Sequence, residues 1–187
     1  MSTTDMSIGE INPADIVAFW RAVGSDRWFE KDRALDDEIR RRFLSLHEAA
    51  VAGKLTSWEQ TAEGALALLI LLDQFPRNMF RGEKRAFATD PLARAIASRA
   101  ILNGFDGAIP DMRTFFYLPF MHSEELADQE RAVAFYRARN DADGLKWADR
   151  HADIIRRFGR FPHRNAVLGR VTTAEEQAFL DGGGFAG

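Results

Sequence analysis

The apolar pattern is densest between Ala65 and Leu72, where A-L-A-L-L-I-L-L leaves no polar face at any helical rotation. A helix that is apolar all round has to be wrapped by other elements, so this run predicts the core helix of the fold. Asp73 ends the run abruptly, and Gln74, Pro76, Arg77 and Asn78 follow at its mouth. Pro76 is expected to terminate the helix, because proline has no N–H to continue the hydrogen-bond ladder.

The remaining elements follow from helical periodicity and end signals. Asn12-Pro13-Ala14-Asp15 supplies a cap, a proline at the first helical position and an early acid, predicting a short helix to about Val23. Leu35, Ile39, Phe43, Leu46 and Ala50 recur at three to four residues, predicting a long amphipathic helix that Gly53 ends. Ser57-Trp58-Glu59-Gln60 reads as a capping box opening the core helix. Asp90-Pro91 opens another helix, which dies in a loop from Gly104 to Pro110. Phe115 to Leu118 begins a helix that Pro119 kinks or stops, and Ser123 followed by Glu124 and Glu125 starts one running to about Arg139. Asp141 or Asp143 opens a helix with Leu145, Ala148, Ala152, Ile155 and Phe158 as its stripe and Gly159 as its stop. Thr172-Thr173-Ala174-Glu175-Glu176 caps a last helix through Leu180. No stretch shows the period-two alternation of a half-buried strand. The expectation is an all-α chain of about seven to nine helices forming one domain, with flexible tails at 1–11 and 182–187.

Composition narrows the function classes. The 187 residues carry a formal charge of -3, which disfavours a phosphate-backbone binder. No cysteine is present, which removes disulfides, thiolate metal sites and thiol nucleophiles together. Met1 to Glu10 has neither Lys nor Arg and no apolar run behind it, so it does not read as a secretory signal. Ala65 to Leu72 is too short to span a bilayer, and the cytoplasm is the expected compartment.

One segment occurs twice. Phe75-Pro76-Arg77-Asn78 is followed by Gly82, and Phe161-Pro162-His163-Arg164-Asn165 by Gly169, both directly after a helix. As a structural turn, Pro breaks the helix, Asn caps the short turn and Gly closes it. As a receptor, an Arg fork beside the free amides of such a turn suits a carboxylate or phosphate. Both readings stand at this point, and two copies facing each other would clamp one anion.

The histidines differ in promise. His47, beside Leu46 and Glu48 in the long helix, reads as a surface or boundary residue. His122 precedes a helix start that disfavours its charged form, with Glu124 opposing. His151 shares a face with Trp147, Ile154 and Phe158, and His163 sits inside the second Pro-Arg-Asn turn. Asp73, His122, Glu124, His151 and His163 have donor atoms for a metal, but no pair has the i, i+4 histidine spacing, and Arg77, Arg157, Arg160 and Arg164 repel a cation. No metal or cofactor is expected, and no nucleophile elbow or phosphate loop occurs.

L-L-D-Q-F-P-R-N-M-F-R-G at Leu71 to Gly82, F-F-Y-L-P-F-M-H-S-E at Phe115 to Glu124 and R-R-F-G-R-F-P-H-R-N-A-V-L-G-R at Arg156 to Arg170 together resemble the signatures of one bacterial family. It is the domain of unknown function numbered nine hundred and twenty-four, and the likeness covers nearly everything from Ile16 to Leu180. Leu35 departs from it, at a position where the family tends to carry an aromatic. The resemblance implies an all-helical fold of tetratricopeptide-like topology, without a strict 34-residue repeat. It implies no reaction.

Two function classes remain. The first is a pocket for a small anionic molecule, bound by Asp73, Gln74, Arg77, Asn78, His151, Arg160, Arg164 and Asn165, with acid–base chemistry by His122 or His163 and Glu124 or Asp73. The second is an adaptor whose groove, lined by Trp28, Phe115, Phe116 and Tyr117, takes a peptide or protein partner. Neither calls for nucleic acid or membrane, and both allow a monomer or a homodimer.

Overall fold

The computed structural model describes residues 12–185. The tail expected at 1–11 lies outside them, as do residues 186 and 187. The described residues form helices and turns with no strand, and none of the helices is long and apolar enough to cross a membrane. They group into two compact units, residues 12–81 with 85–116 in the first and residues 82–84 with 117–185 in the second, so that one division falls inside a helix between Phe116 and Tyr117.

The first unit contains α1 (Pro13–Val23), α2 (Arg33–Val51), α3 (Ala62–Leu69), α4 (Phe75–Met79), α5 (Asp90–Leu102) and α6 (Phe105–Ala108). Asn12 caps α1 by accepting from the Asp15 amide, while the Asp15 carboxylate accepts from the Asn12 amide. Every residue from Ala65 to Leu72 is buried, as an all-round apolar helix requires, with α1 and α5 packed against α3. Phe19, Trp20, Phe43 and Phe75 close the remaining space, ring to ring at 5.0 to 5.4 Å for the tightest pairs.

Two boundaries differ from the sequence expectation. Residues Thr56–Gln60 form a 3-10 turn with no side-chain cap, and the hydroxyl of Thr61, not Ser57, accepts from Gly64 to open α3. Pro76 does not end the core helix either. The chain widens into a π turn at Ile70–Gln74, where the Phe75 amide reaches back five residues to the Ile70 carbonyl, and continues as α4 with Pro76 near its start. A π turn makes room for the proline ring, but it leaves carbonyls without a regular helical donor. Side chains supply the donors. His47 Nδ1 bonds the Leu71 carbonyl at 2.9 Å, the Thr89 hydroxyl that of Leu72 at 2.5 Å, and Arg77 Nη1 that of Asp73 at 2.7 Å. His47 is therefore a buried core residue rather than a boundary one. A carbonyl can only accept, so the Nδ1 carries the proton, and burial favours the neutral imidazole by lowering its pKa.

Helix α7 (Thr114–Met121), with Pro119 inside it, spans the boundary between units. The second unit then comprises α8 (Leu126–Ala138), α9 (Ala142–Phe158), α10 (Asn165–Leu168) and α11 (Ala174–Asp181). Ser123 stands three residues ahead of α8 instead of capping it directly. Its hydroxyl accepts from the Glu125 amide and donates to Asp128. Helices α8 and α9 pack together, and Ile154, Ile155 and Phe161 form a core joined by Phe158, Phe179 and Phe185. Residues 182–185, read from sequence as part of a flexible tail, turn back so that the Gly184 amide donates to the Phe179 carbonyl at 2.9 Å.

Candidate functional site

Asp73, Gln74, Arg77 and Asn78 all lie in the first unit, in and after the π turn. Arg77 holds Asp90 in a two-pronged ion pair, Nη1 at 2.9 Å and Nη2 at 3.0 Å, and lies 3.4 Å from the Asp73 carboxylate. Burial alone would lower the pKa of Arg77, but Asp73 and Asp90 outweigh it and raise it, so the cation is permanent. Gln74 reaches the Trp28 carbonyl at 3.4 Å and the Asn78 side-chain oxygen at 3.3 Å. The Asn78 amide in turn donates to Asp36 at 2.8 Å, and Arg81 grips both oxygens of that carboxylate.

The second copy of the motif repeats this wiring within the second unit. Asn165 donates to Glu176 at 3.1 Å, and Arg160 grips both oxygens of Glu176 at 2.6 and 2.9 Å. Neither asparagine caps the turn that follows it, which corrects the sequence reading. Each instead docks on a carboxylate in the first turn of another helix, α2 or α11, already clamped by an arginine. A left-handed glycine closes each segment, with φ of 81° at Gly82 and 69° at Gly169. The hydrogen bonds from Arg160 hold the Glu176 carboxyl at about 2 against the opposing effect of burial, with the Thr173 amide adding to them. Glu124 is engaged in the same manner. It pairs with Arg170 through both oxygens at 2.7 and 3.0 Å and accepts from the Phe161 amide at 2.8 Å. Burial alone would raise its pKa, but Arg170, the Phe161 amide and the Arg164 charge outweigh it and lower it. Glu124 therefore stays ionised and acts as an anchor for the turn at Phe161.

His122, His151, His163 and Arg164 belong to a different arrangement in the second unit. Gln129 positions the first of them: its Nε2 donates to the carbonyls on either side of His122, to Met121 at 2.7 Å and to Ser123 at 2.6 Å. Arg164 Nη2 donates to the His122 carbonyl itself at 3.0 Å, and the guanidinium lies over the Phe161 ring at 4.6 Å. The His151 and His163 rings each stand 5.6 Å from Phe161, and they meet Phe185 edge-on at 4.6 and 5.2 Å. Among the described residues no three His, Asp or Glu side chains gather as a metal-ligand set.

His151 is the most perturbed group of this arrangement. Burial pushes its pKa down to about 4, opposed by the Trp147 carbonyl and reinforced by the nearby charges of His122, Arg164 and Arg150. Its Nδ1 bonds that carbonyl at 2.8 Å, so Nδ1 carries the proton and Nε2 keeps a lone pair. A folded-state pKa below the ordinary 6.5 gives stability that is complete above 6.5 and falls as pH drops toward 4, by about 3 kcal/mol in all. His151→Asn keeps a donor for the Trp147 carbonyl and does not titrate. Urea denaturation at pH 7, 5.5 and 4 should show the parent losing about 3 kcal/mol more than this variant. Parallel acid profiles would contradict the assignment. The Glu176 contribution is present above 4.5 and fades as pH falls through about 2, so it overlaps this window only at its acid end.

Trp28, Phe115, Phe116 and Tyr117, read from sequence as a groove lining, are buried. Trp28 packs against Phe115 at 4.9 Å, and its indole N–H donates to the Trp20 carbonyl. Two shallow recesses of about 180 and 340 Å³ lie elsewhere, beside Arg150 and Phe179 in one case and beside Phe19 and Arg27 in the other. Sequence reasoning did not single out Gln129, Arg170, Asp36, Arg150 or Phe185. The three-residue spacing of Thr173 and Glu176 signalled the Glu176 end of this wiring in advance.

The chain resembles a solved structure of a protein of unknown function from Agrobacterium tumefaciens, at 50% sequence identity and a TM-score of 0.88. The likeness covers 91% of this chain and 97% of that one. No curated protein matches. Residues 16–184 match the model of the bacterial proteins of unknown function DUF924, and the chain belongs to that family.

Proposed function

We propose that the protein binds a small anionic molecule in its second unit, at the arrangement of His122, His151, His163 and Arg164, with Arg150 at its edge. The observation that carries the reading is the convergence of the His151 and His163 rings and the Arg150 and Arg164 guanidinium groups around Phe161 and Phe185. Arg77, Arg81, Arg160 and Arg170 each answer a carboxylate of their own unit, which suits structural wiring. Guanidinium groups gathered around a neutral imidazole favour a negative ligand, because the ligand accepts charge-assisted hydrogen bonds from them. Gln129 and Glu124 then serve as positioning residues, fixing the His122 turn and the Phe161 turn. Burial of the Trp28 and Phe115 rings weighs against the adaptor reading.

The test is the melting temperature of the parent, Arg164→Lys and Arg77→Lys, each with and without acetate and inorganic phosphate. An anion at a hundred times its Kd should stabilise the parent by about 2.7 kcal/mol. Arg164→Lys keeps the charge but loses the planar fork, and should lose most of that gain. Arg77→Lys should keep the gain in full while melting lower without ligand. If no anion stabilises the parent, the reading falls.

A further inference from the structure

The Phe185 ring occupies a defined seat. Two imidazoles, His151 and His163, meet it edge-on with interplanar angles of 61° and 84°, Trp147 stands 6.5 Å away, and the Arg150 guanidinium lies 5.6 Å from its centroid. Arg150 also lies 5.4 Å from the Trp147 ring, and among the described residues it pairs with no carboxylate. Edge-on contacts direct polarised ring hydrogens at a π face, so this lining prefers an aromatic ring to an aliphatic chain of equal size. The ring is only half-buried, unlike Phe161 beneath it, which is fully buried.

The segment that carries the ring is built to follow one path and to leave it. Gly183 has a φ of +78°, a conformation that L side chains rarely adopt. A Cβ at Gly184 would stand 2.5 Å from the Phe179 carbonyl oxygen and 2.6 Å from its ring. Among the described residues, the backbone bond that holds this turn back on α11 beyond Gly183 is that of the Gly184 amide to the Phe179 carbonyl.

We infer that the seat of Phe185 is the aromatic half of the ligand site, filled by the chain's own side chain, and that the ligand is a planar aromatic carboxylate. The inference rests on the anion-binding reading above and adds the ring. The arene replaces Phe185 between His151, His163 and Trp147, and the carboxylate meets Arg150, whose fork is not committed to another acid. Phe185 is then a competitor in place: the seat accepts ligand only in the fraction of molecules whose Gly182–Gly184 segment has swung away.

Titration of the parent, Phe185→Ala and Gly184→Ala with benzoate, cyclohexanecarboxylate and acetate tests this. Phe185→Ala empties the seat, and Gly184→Ala dislodges the segment while leaving the ring chemistry intact. Both should bind benzoate about tenfold more tightly than the parent, as expected if the seat is open about a tenth of the time. Acetate should bind all three proteins alike, and cyclohexanecarboxylate should gain less than benzoate. Adding Arg150→Gln to Phe185→Ala should remove the gain. Unchanged benzoate affinity in both variants, with acetate still binding the parent, would overturn the inference and leave the anion site standing. An equal gain for cyclohexanecarboxylate would overturn its aromatic part. Failure of all three carboxylates and of phosphate on the parent would remove both readings.

Discussion

Arg77→Met should destabilise the protein by about 3 to 5 kcal/mol, the cost of removing a cation that bridges two buried carboxylates. Asp90 and Asp73 are both buried, and Arg77 is their shared counter-ion at 2.9 and 3.4 Å. The same side chain donates to the Asp73 carbonyl inside the π turn, so the variant also removes a donor from a backbone group that α-helical geometry would have satisfied. Arg81→Met breaks a comparable bidentate pair with Asp36, but at a side chain 40% exposed, and should cost within about 1 kcal/mol. Adding Asp90→Asn to Arg77→Met should recover part of the loss, because it removes one of the two buried charges that faced the guanidinium. Urea denaturation of the four proteins decides it. Equal costs for Arg77→Met and Arg81→Met would show that burial does not set the value of this pair.

Leu69→Ala should cost about 2 to 5 kcal/mol through lost apolar burial and the cavity left behind. Leu69 is 1% exposed, and the helix that carries it is enclosed on every side, so its neighbours have little freedom to collapse into the space. Leu102→Ala supplies the contrast, since Leu102 is 86% exposed at the end of α5 and should change stability by less than about 0.5 kcal/mol. A Leu69→Ala denaturation midpoint equal to that of the parent would mean that α3 is not the centre of its unit.

The helical fold was legible because its signals are local. Asn12 before Pro13, Asp141 before α9, the Thr173 and Glu176 box and the stripe from Leu35 to Ala50 each act within a few residues, and the structure places helices there. The misplaced boundaries are those where distant groups intervene. Pro76 should end a helix by local rules, and the chain passes through it because His47, Thr89 and Arg77 satisfy the three carbonyls at the π turn. His47 and Thr89 come from elsewhere in the sequence, so no window around Pro76 contains the answer.

The sequence by itself determined that the chain is helical, that Ala65 to Leu72 is its most enclosed stretch, and that a Pro-Arg-Asn segment occurs twice. Propensity, apolar periodicity and capping are properties of neighbours along the chain, which is why they could be read there. What the two segments do was decided only by tertiary structure. Asn78 and Asn165 look like caps in sequence, yet each docks on a carboxylate clamped by an arginine, Asp36 with Arg81 and Glu176 with Arg160. Whether a guanidinium is a receptor or a strut depends on which acid lies within about 3 Å of it. That distance is set by packing between helices: Arg77 finds Asp90 on α5 and Arg160 finds Glu176 on α11.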